Sequence, residues 1–123
     1  MSVKEAVFTT NSPPPLPFYS QAIKCNGMVY CSGQVGGDPK TGKVVEGTIQ
    51  DRTNLSAILE AAGSSIDKVV KVGIFITSMD NFAAVNEVYQ EFFSVEPKPC
   101  RTCVAVYQLP RGTDVEIECT AAL

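Results

Sequence analysis

The dipeptide Asn26-Gly27 separates two short apolar runs, residues 21–25 and residues 28–32, and dictates how this part of the chain pairs. A two-residue type I′ turn needs a positive φ at both central positions, and Asn-Gly is the pair that adopts it most easily. The pattern therefore predicts an antiparallel β-hairpin. Gly33 follows its second arm, and a glycine there allows the backbone to approach either a ligand or a neighbouring strand closely.

After a loop predicted over residues 35–47, the apolar spacing changes from alternation to a helical period. A stretch with the i, i+3, i+4, i+7 spacing predicts an amphipathic helix over residues 48–62. Its apolar residues are Leu55, Ile58, Leu59 and Ala62. Thr48 and Asp51 have the spacing of a capping box, which places the predicted helix start at Thr48.

The rest of the chain adds a second helix, from about Asp80 to Phe93, and four more strands. Those strands are predicted over residues 2–10, 68–77, 101–109 and 114–121. The element order is thus βββ-α-β-α-ββ, and residues 1–123 are expected to form a single α+β domain. We expect a mixed sheet with both helices on one face, so the other face needs a cover that oligomerisation could supply.

Composition and charge limit the partners and the compartment. The chain has 123 residues, a net charge of −3 and a sequence pI of about 4.9. A surface for nucleic acid or for an anionic membrane needs a basic patch, so neither partner is expected. The N-terminus shows no apolar signal segment and no Arg-rich presequence, and the five cysteines are then interpreted as reduced thiols. These features predict a cytoplasmic protein rather than one of the mitochondrial matrix.

The chain contains no histidine, which excludes Ser-His and Cys-His nucleophile pairs and histidine acid–base catalysis. Cys100 and Cys103 have a C-x-x-C spacing on a predicted strand, where positions i and i+3 point to opposite faces. That placement disfavours both a disulfide and shared metal ligation. We therefore expect no metal bound by these two cysteines.

Arg101 follows a rigid segment that contains Pro97 and Pro99, at the start of an apolar strand. Prolines restrict φ and cannot donate to a strand ladder, so this strand is predicted to begin after Pro99. Alternation then places Arg101 and Cys103 on the face opposite Cys100. A guanidinium keeps its charge and must face water, a carboxylate of the protein or an anionic ligand, and its planar fork suits a ligand carboxylate. Pairing with one of the chain's own acidic residues is the more common arrangement.

Glu116 and Glu118 share one face of the last predicted strand. Adjacent carboxylates on a partly buried face raise each other's pKa, which would suit an acid or a base near neutral pH. The alternative is a solvated outer face, where glutamates are ordinary. Tyr89 on the second helix is interpreted as core packing with its hydroxyl at the rim. For Tyr19, after the proline loop of residues 11–17, ligand contact and packing are both open.

Short motifs along nearly the whole chain share their order and spacing with one protein family. The motifs are Pro17-Phe18-Tyr19-Ser20-Gln21-Ala22, Ser32-Gly33-Gln34, Gln50, Asn54 through Gly63, Asp67 through Lys71, Phe82, Val85-Asn86, Tyr89, Phe92-Phe93, Pro99 through Val104, Leu109-Pro110 and Val115 through Glu118. In these motifs the chain resembles the RidA/YjgF family of small reactive-imine deaminases. It departs from the family pattern at Phe18, where glycine is usual, and at Cys100 and Thr102, which replace alanine and serine beside Arg101.

The resemblance implies a chorismate-mutase-like homotrimer with clefts between neighbouring subunits. It also implies hydrolysis of small imines and enamines (2-aminoacrylate/2-iminopropanoate and 2-iminobutanoate) to 2-ketoacids and ammonia, without a cofactor. The catalytic residues that it carries over are Arg101 and Glu116. The substrate-binding residues are Arg101, Tyr19, Ser32, Gly33, Asn86 and Cys103.

The chemistry implied by this resemblance needs few groups. Arg101 would hold the substrate carboxylate, and a water held by Glu116 and the Cys103 carbonyl would attack the imine carbon. Two other functions stay open: a ribonuclease or translation inhibitor, and a non-catalytic small-carboxylate-binding or chaperone-like trimer. The acidic pI and the missing histidine argue against RNA cleavage.

Overall fold

The computed structural model of the protein describes residues 3–36 and 44–123, and its elements follow the predicted order βββ-α-β-α-ββ. Within these residues the strands are β1 (Glu5–Val7), β2 (Ala22–Cys25), β3 (Met28–Gln34), β4 (Val69–Ile76), β5 (Cys100–Ala105) and β6 (Val115–Ala122). The α-helices are α1 (Val44–Ala61) and α2 (Phe82–Phe92). Short 3-10 helices lie at Ile66–Lys68, Met79–Asn81 and Pro110–Gly112.

In the described part of the chain, six strands join one mixed sheet in the order β1-β2-β3-β6-β4-β5. β4 and β5 are parallel, whereas the other neighbouring pairs are antiparallel. The last strand of the chain is thus inserted between β3 and β4 instead of lying at an edge. This insertion places Glu116 in the middle of the sheet and leaves Arg101, on β5, at one edge.

The predicted hairpin is confirmed. Asn26 has a φ of 50° and Gly27 a φ of 77°, both in the left-handed region that a type I′ turn requires. The turn joins β2 and β3 as antiparallel neighbours. β3 continues to Gln34, and its pairing with β6 shifts by a bulge or irregularity after Cys31.

Alternation along β6 separates the two faces of the sheet. Its buried residues join the core; they are Val115, Ile117, Cys119 and Ala121. Helix α1 covers this face with three side chains that are at most 1% exposed, Leu55, Ile58 and Leu59. Burial of one such side chain stabilises the fold by about 1.5–3 kcal/mol. The other residues of β6, Glu116 and Glu118 among them, project from the face opposite the helices.

Helix α1 begins at Val44, so the predicted start at Thr48 and the predicted loop over residues 44–47 are wrong. Neither residue of the expected capping box caps the helix. The Thr48 hydroxyl donates to the Val44 carbonyl at 2.7 Å, within the helix itself. The Asp51 carboxyl is buried and accepts the backbone N–H of Gly36. Residues 37–43 of the predicted loop lie outside the described residues.

Each predicted strand is present, and the first and fifth strands are much shorter than expected. β1 keeps three residues of the predicted strand 2–10, and β5 ends at Ala105. The backbone N–H of Val106 donates to the carbonyl of Ile76, the last residue of β4, at 2.7 Å. In the described part of the chain, the residues after Val106 therefore have no neighbouring strand with which to pair. No helix among the described residues combines the length and apolar character that crossing a membrane requires.

Candidate functional site

Arg101 lies on the edge strand β5, and its side chain projects to the face that the helices cover. Pairing with β4 places Arg101 beside Val72, a residue of the core. Its Nη1 donates to Oδ1 of Asn86, on α2, at 2.6 Å. Among the residues that the structure describes, no carboxylate lies within 4.0 Å of this guanidinium. The common pairing of an arginine with an internal acid is therefore not found here.

Two aromatic rings of α2 also lie against this guanidinium. Cζ of Arg101 is 4.7 Å from the ring centroid of Tyr89 and 5.6 Å from that of Phe82. The quadrupole of an aromatic ring attracts a cation over its face by about 0.5–2 kcal/mol. Phe82, Asn86 and Tyr89 are spaced i, i+4 and i+7, so one face of α2 contacts the arginine.

Cys103 lies two positions after Arg101 on the same face of β5, beside Ile74. Burial raises the pKa of the Cys103 thiol, and the Arg101 guanidinium offsets only part of that rise. The thiol therefore keeps its proton at neutral pH, which argues against a nucleophilic role. Asn86, Arg101 and Cys103 are termed the arginine half-site.

Glu116 projects from β6 on the opposite face of the sheet, over the backbone of Gly33 on β3. A Cβ added at Gly33 would lie 2.7 Å from Cδ of Glu116, so only glycine leaves room for the carboxyl group. Burial raises the pKa of Glu116, and the charge of Glu118 raises it further. The expected effect of Glu118 is thus present, but burial is the larger cause.

Ser32 lies on β3 next to Gly33, and Tyr19 lies in the loop that precedes β2. The Ser32 hydroxyl donates to the Ser20 carbonyl at 2.6 Å, which ties β3 to that loop. Tyr19 and Gly33 line a cavity of about 280 Å³ whose walls include the prolines of the same loop. The Phe18 ring packs edge-on against Tyr19, with centroids 5.7 Å apart. Tyr19, Ser32, Gly33 and Glu116 are termed the glutamate half-site.

The two half-sites do not meet within one chain. β4 separates β5 from β6 in the sheet, and the side chains of Arg101 and Glu116 project from opposite faces. Side chains on opposite faces of one sheet point away from each other. The sheet thus lies between the two half-sites in the single chain.

Comparison with known proteins assigns the family. The family model described as Endoribonuclease L-PSP matches residues 9–123. The chain belongs to the L-PSP family. A RutC family protein of Pyrococcus horikoshii is 47% identical, over 97% of this chain and 98% of the relative. A second L-PSP relative, from Dermatophagoides farinae, is named 2-iminobutanoate/2-iminopropanoate deaminase and is 42% identical, over 96% of this chain and 95% of its own.

Solved structures of L-PSP proteins share the whole fold. RidA from the Antarctic bacterium Psychrobacter sp. PAMC 21119 matches with a TM-score of 0.89 at 38% identity, over 97% of this chain and 99% of its own. The structure of E. coli TdcF with bound serine matches with a TM-score of 0.86 at 34% identity, over 97% of this chain and 98% of its own. The resemblance to RidA/YjgF proteins and the predicted α+β fold are therefore confirmed.

The L-PSP relatives also bear on the compartment. A Schizosaccharomyces pombe relative that is 52% identical, over 84% of this chain and 67% of the relative, is named mmf1, mitochondrial. The family thus includes a protein named as mitochondrial.

Three features of this L-PSP chain lay outside the predicted site. Tyr89 packs against the core, as interpreted, but also against Arg101. It lies three residues after Asn86 on the same helix face, and this spacing could have identified it from the sequence. Asp51 is fully buried, and burial raises its pKa to about 9 even though the Gly36 N–H lowers it. Arg111 has a φ of 63° and lines the proline-walled cavity. The last two depend on tertiary contacts and carry no local signal.

Proposed function

We propose that this chain is a hydrolytic deaminase that converts 2-iminopropanoate, 2-iminobutanoate and their enamine forms to 2-ketoacids and ammonia. The proposal rests on the surroundings of Arg101. Asn86 and two aromatic rings contact the guanidinium, yet no carboxylate of the described residues neutralises its charge. A cation held in this way suits a planar carboxylate ligand, which every substrate of this class carries. The name of the Dermatophagoides farinae relative supports imines as the substrate class.

The proposed reaction consumes one water and changes no oxidation state. Arg101 binds the substrate carboxylate with two N–H donors and fixes the orientation of the imine carbon. A water held by the Glu116 carboxylate and the Cys103 carbonyl attacks that carbon, forming a C–O bond, while Glu116 accepts a proton. The nitrogen, which takes up the electron pair of the former C=N double bond and a proton from solvent, then receives the proton from Glu116. The C–N bond breaks as the new hydroxyl loses its proton to solvent, so that the ketone carbonyl forms and ammonia leaves. The product is the 2-ketoacid, and the cycle needs no cofactor.

We also propose that the site forms between subunits of a homotrimer. The arginine half-site and the glutamate half-site project from opposite faces of one sheet, so two subunits would supply one half each. Apolar side chains on the face without helices support an interface there, since Tyr30 and Val104 are 49% and 41% exposed in the single chain. Sedimentation measures the oligomeric state directly, and a monomer would contradict this arrangement.

A coupled assay tests the enzyme. A threonine dehydratase generates 2-aminocrotonate, and semicarbazide traps the imine that survives. The wild-type protein should suppress the trapped product, whereas Arg101→Ala should lose at least about a hundredfold in rate, because the substrate carboxylate is no longer bound and oriented. Lys98→Ala is the matched control, since Lys98 is an exposed cation near Arg101 in the chain that pairs with Glu96. Full activity of Arg101→Ala would refute the proposal that Arg101 binds the substrate carboxylate.

The same preparations distinguish the other two functions. Binding of 2-oxobutanoate without any effect on the imine would favour a non-catalytic carboxylate-binding protein. Cleavage of labelled RNA at low salt would favour the ribonuclease that the family description names. The net charge of −3 argues against that outcome, because RNA binding relies on cationic side chains.

We also propose that the protein is cytoplasmic. All five cysteines are free thiols, which fits a reducing compartment. The mitochondrial name of the Schizosaccharomyces pombe relative makes the matrix the alternative. Fractionation of the source cells, followed by immunoblotting, tests this assignment.

A further inference from the structure

We propose that Tyr89 is a positioning residue that sets the plane of the Arg101 guanidinium, and thereby the angle at which Arg101 meets the substrate carboxylate. The inference rests on the proposed function and adds a residue to the same site. Bidentate binding of a carboxylate requires the two planar groups to be nearly coplanar. The orientation of the guanidinium plane therefore matters as much as its charge.

One hydrogen bond cannot define that plane. Asn86 accepts from a single nitrogen of Arg101, Nη1, at 2.6 Å. Such a bond fixes one nitrogen, and the guanidinium can still turn about the line that joins this nitrogen to Cδ. The Tyr89 ring supplies a second contact, because its centroid is 4.7 Å from Cζ, compared with 5.6 Å for Phe82. A cation that stacks on a ring face loses this rotational freedom.

The ring is itself held firmly. Tyr89 packs against the core, and its ring centroid lies 4.6 Å from that of Phe93, which is 6% exposed. A side chain fixed by such packing keeps its rotamer, and it then restricts the orientation of a group that contacts it. Tyr89 therefore presents Arg101 with a surface of defined direction.

A second stacked arginine shows that the contact alone does not imply a binding role. Arg52 of α1 lies 4.4 Å from the ring of Phe92 on α2, and its buried Nε has no hydrogen-bond partner. That pair joins two helices inside the fold. Arg101 instead lies on an edge strand, and Asn86 is its one hydrogen-bond partner in the described part of the chain. Its other N–H groups are thus available to a ligand.

The hydroxyl of Tyr89 is separable from its ring. Oη is buried and has no hydrogen-bond partner among the described residues, so it does not hold Arg101. The structure therefore assigns the positioning role to the ring. Tyr89→Phe keeps the ring and removes the hydroxyl, whereas Tyr89→Leu keeps an apolar side chain and removes the ring.

The test combines binding of 2-oxobutanoate, by calorimetry, with the deaminase assay. Tyr89→Leu should weaken 2-oxobutanoate binding and raise KM about fivefold to tenfold, with a smaller change in kcat, because the Arg101 guanidinium is no longer held in its orientation. Tyr89→Phe should stay within about twofold of wild type in all three quantities. Phe92→Leu is the control for lost packing, since it removes a ring of α2 that contacts Arg52 and leaves both the Tyr89–Phe93 contact and the contact with Arg101 in place; its KM should stay within about twofold.

A double-mutant cycle tests whether Tyr89 acts through Arg101. A lysine keeps the charge but has no planar fork to orient, so Tyr89→Leu should change 2-oxobutanoate affinity by less than about twofold in an Arg101→Lys background. Equal losses in Tyr89→Leu and Phe92→Leu, or in Tyr89→Phe and Tyr89→Leu, would overturn the positioning role. So would wild-type affinity in Tyr89→Leu. If Arg101→Ala itself has no effect, the proposed function fails instead, and the two failures are distinguishable.

Discussion

Asp51 provides a quantitative test of how the fold treats a buried carboxyl group. It is fully buried on α1, and one oxygen accepts the Gly36 backbone N–H while Oδ2 has no partner among the described residues. Burial raises its pKa from 3.8 to about 9, and the charge of Glu116 adds to the rise. The native protein therefore keeps Asp51 protonated at neutral pH, whereas the unfolded chain ionises it.

The sign and size of the effect follow from proton linkage. A carboxyl group whose pKa is raised on folding favours the native state most at a pH below its unfolded pKa, and this contribution is lost as pH rises towards the folded pKa. Across that window the native state binds about one proton more than the unfolded chain, so the free energy of unfolding falls by about 1.4 kcal/mol per pH unit. Between about pH 5 and about pH 8, this single group should lower the free energy of unfolding by roughly 4 kcal/mol.

Asp51→Asn removes that dependence. The amide oxygen can still accept the Gly36 N–H, and the side chain has no proton to lose. The variant should be more stable than wild type at neutral pH, with an advantage that increases from about pH 5 to about pH 8. Urea unfolding at fixed protein concentration measures the difference, since oligomer stability depends on concentration. Asp67→Asn removes an exposed carboxylate and is the control for the loss of one negative charge. Parallel curves for Asp51→Asn and wild type would refute the reasoning.

Two further predictions concern the glutamate half-site. Gly33→Ala places a methyl group where the Glu116 carboxyl lies, so deaminase activity should fall at least about tenfold while the thermal midpoint changes by only a few degrees; unchanged activity would show that the position of this carboxyl is unimportant. Because burial and Glu118 raise the pKa of Glu116, kcat/KM should fall as pH decreases through that pKa, where the protonated carboxyl can no longer accept a proton from water. Glu118→Gln removes one cause of the rise and should move this acid limb to lower pH, and a limb that does not move would contradict the assigned role.

Local patterns in the sequence predicted the elements and the faces of the strands. Asn26-Gly27 predicted the hairpin because its turn depends only on the φ preferences of two adjacent residues. Alternation along β5 and β6 correctly separated Arg101 from Cys100 and grouped Glu116 with Glu118, since side chains in a strand alternate regardless of the neighbouring strands. The motifs identified the family and the residues that are proposed for its site. They predicted the start of α1 less well, because Thr48 and Asp51 resemble a cap but make other contacts in the folded chain.

Only the tertiary structure decided how these faces are combined. The insertion of β6 between β3 and β4 is a pairing between distant segments, which no local period encodes. That pairing brings Glu116 over Gly33 and separates it from Arg101 by the sheet itself. The stack of Arg101 on Tyr89 and the raised pKa of Asp51 have the same origin, since each depends on which segments pack together and exclude water. The sequence by itself thus determined the candidate functional groups and the faces they occupy, and the packing of distant segments decided their surroundings and their separation into two half-sites.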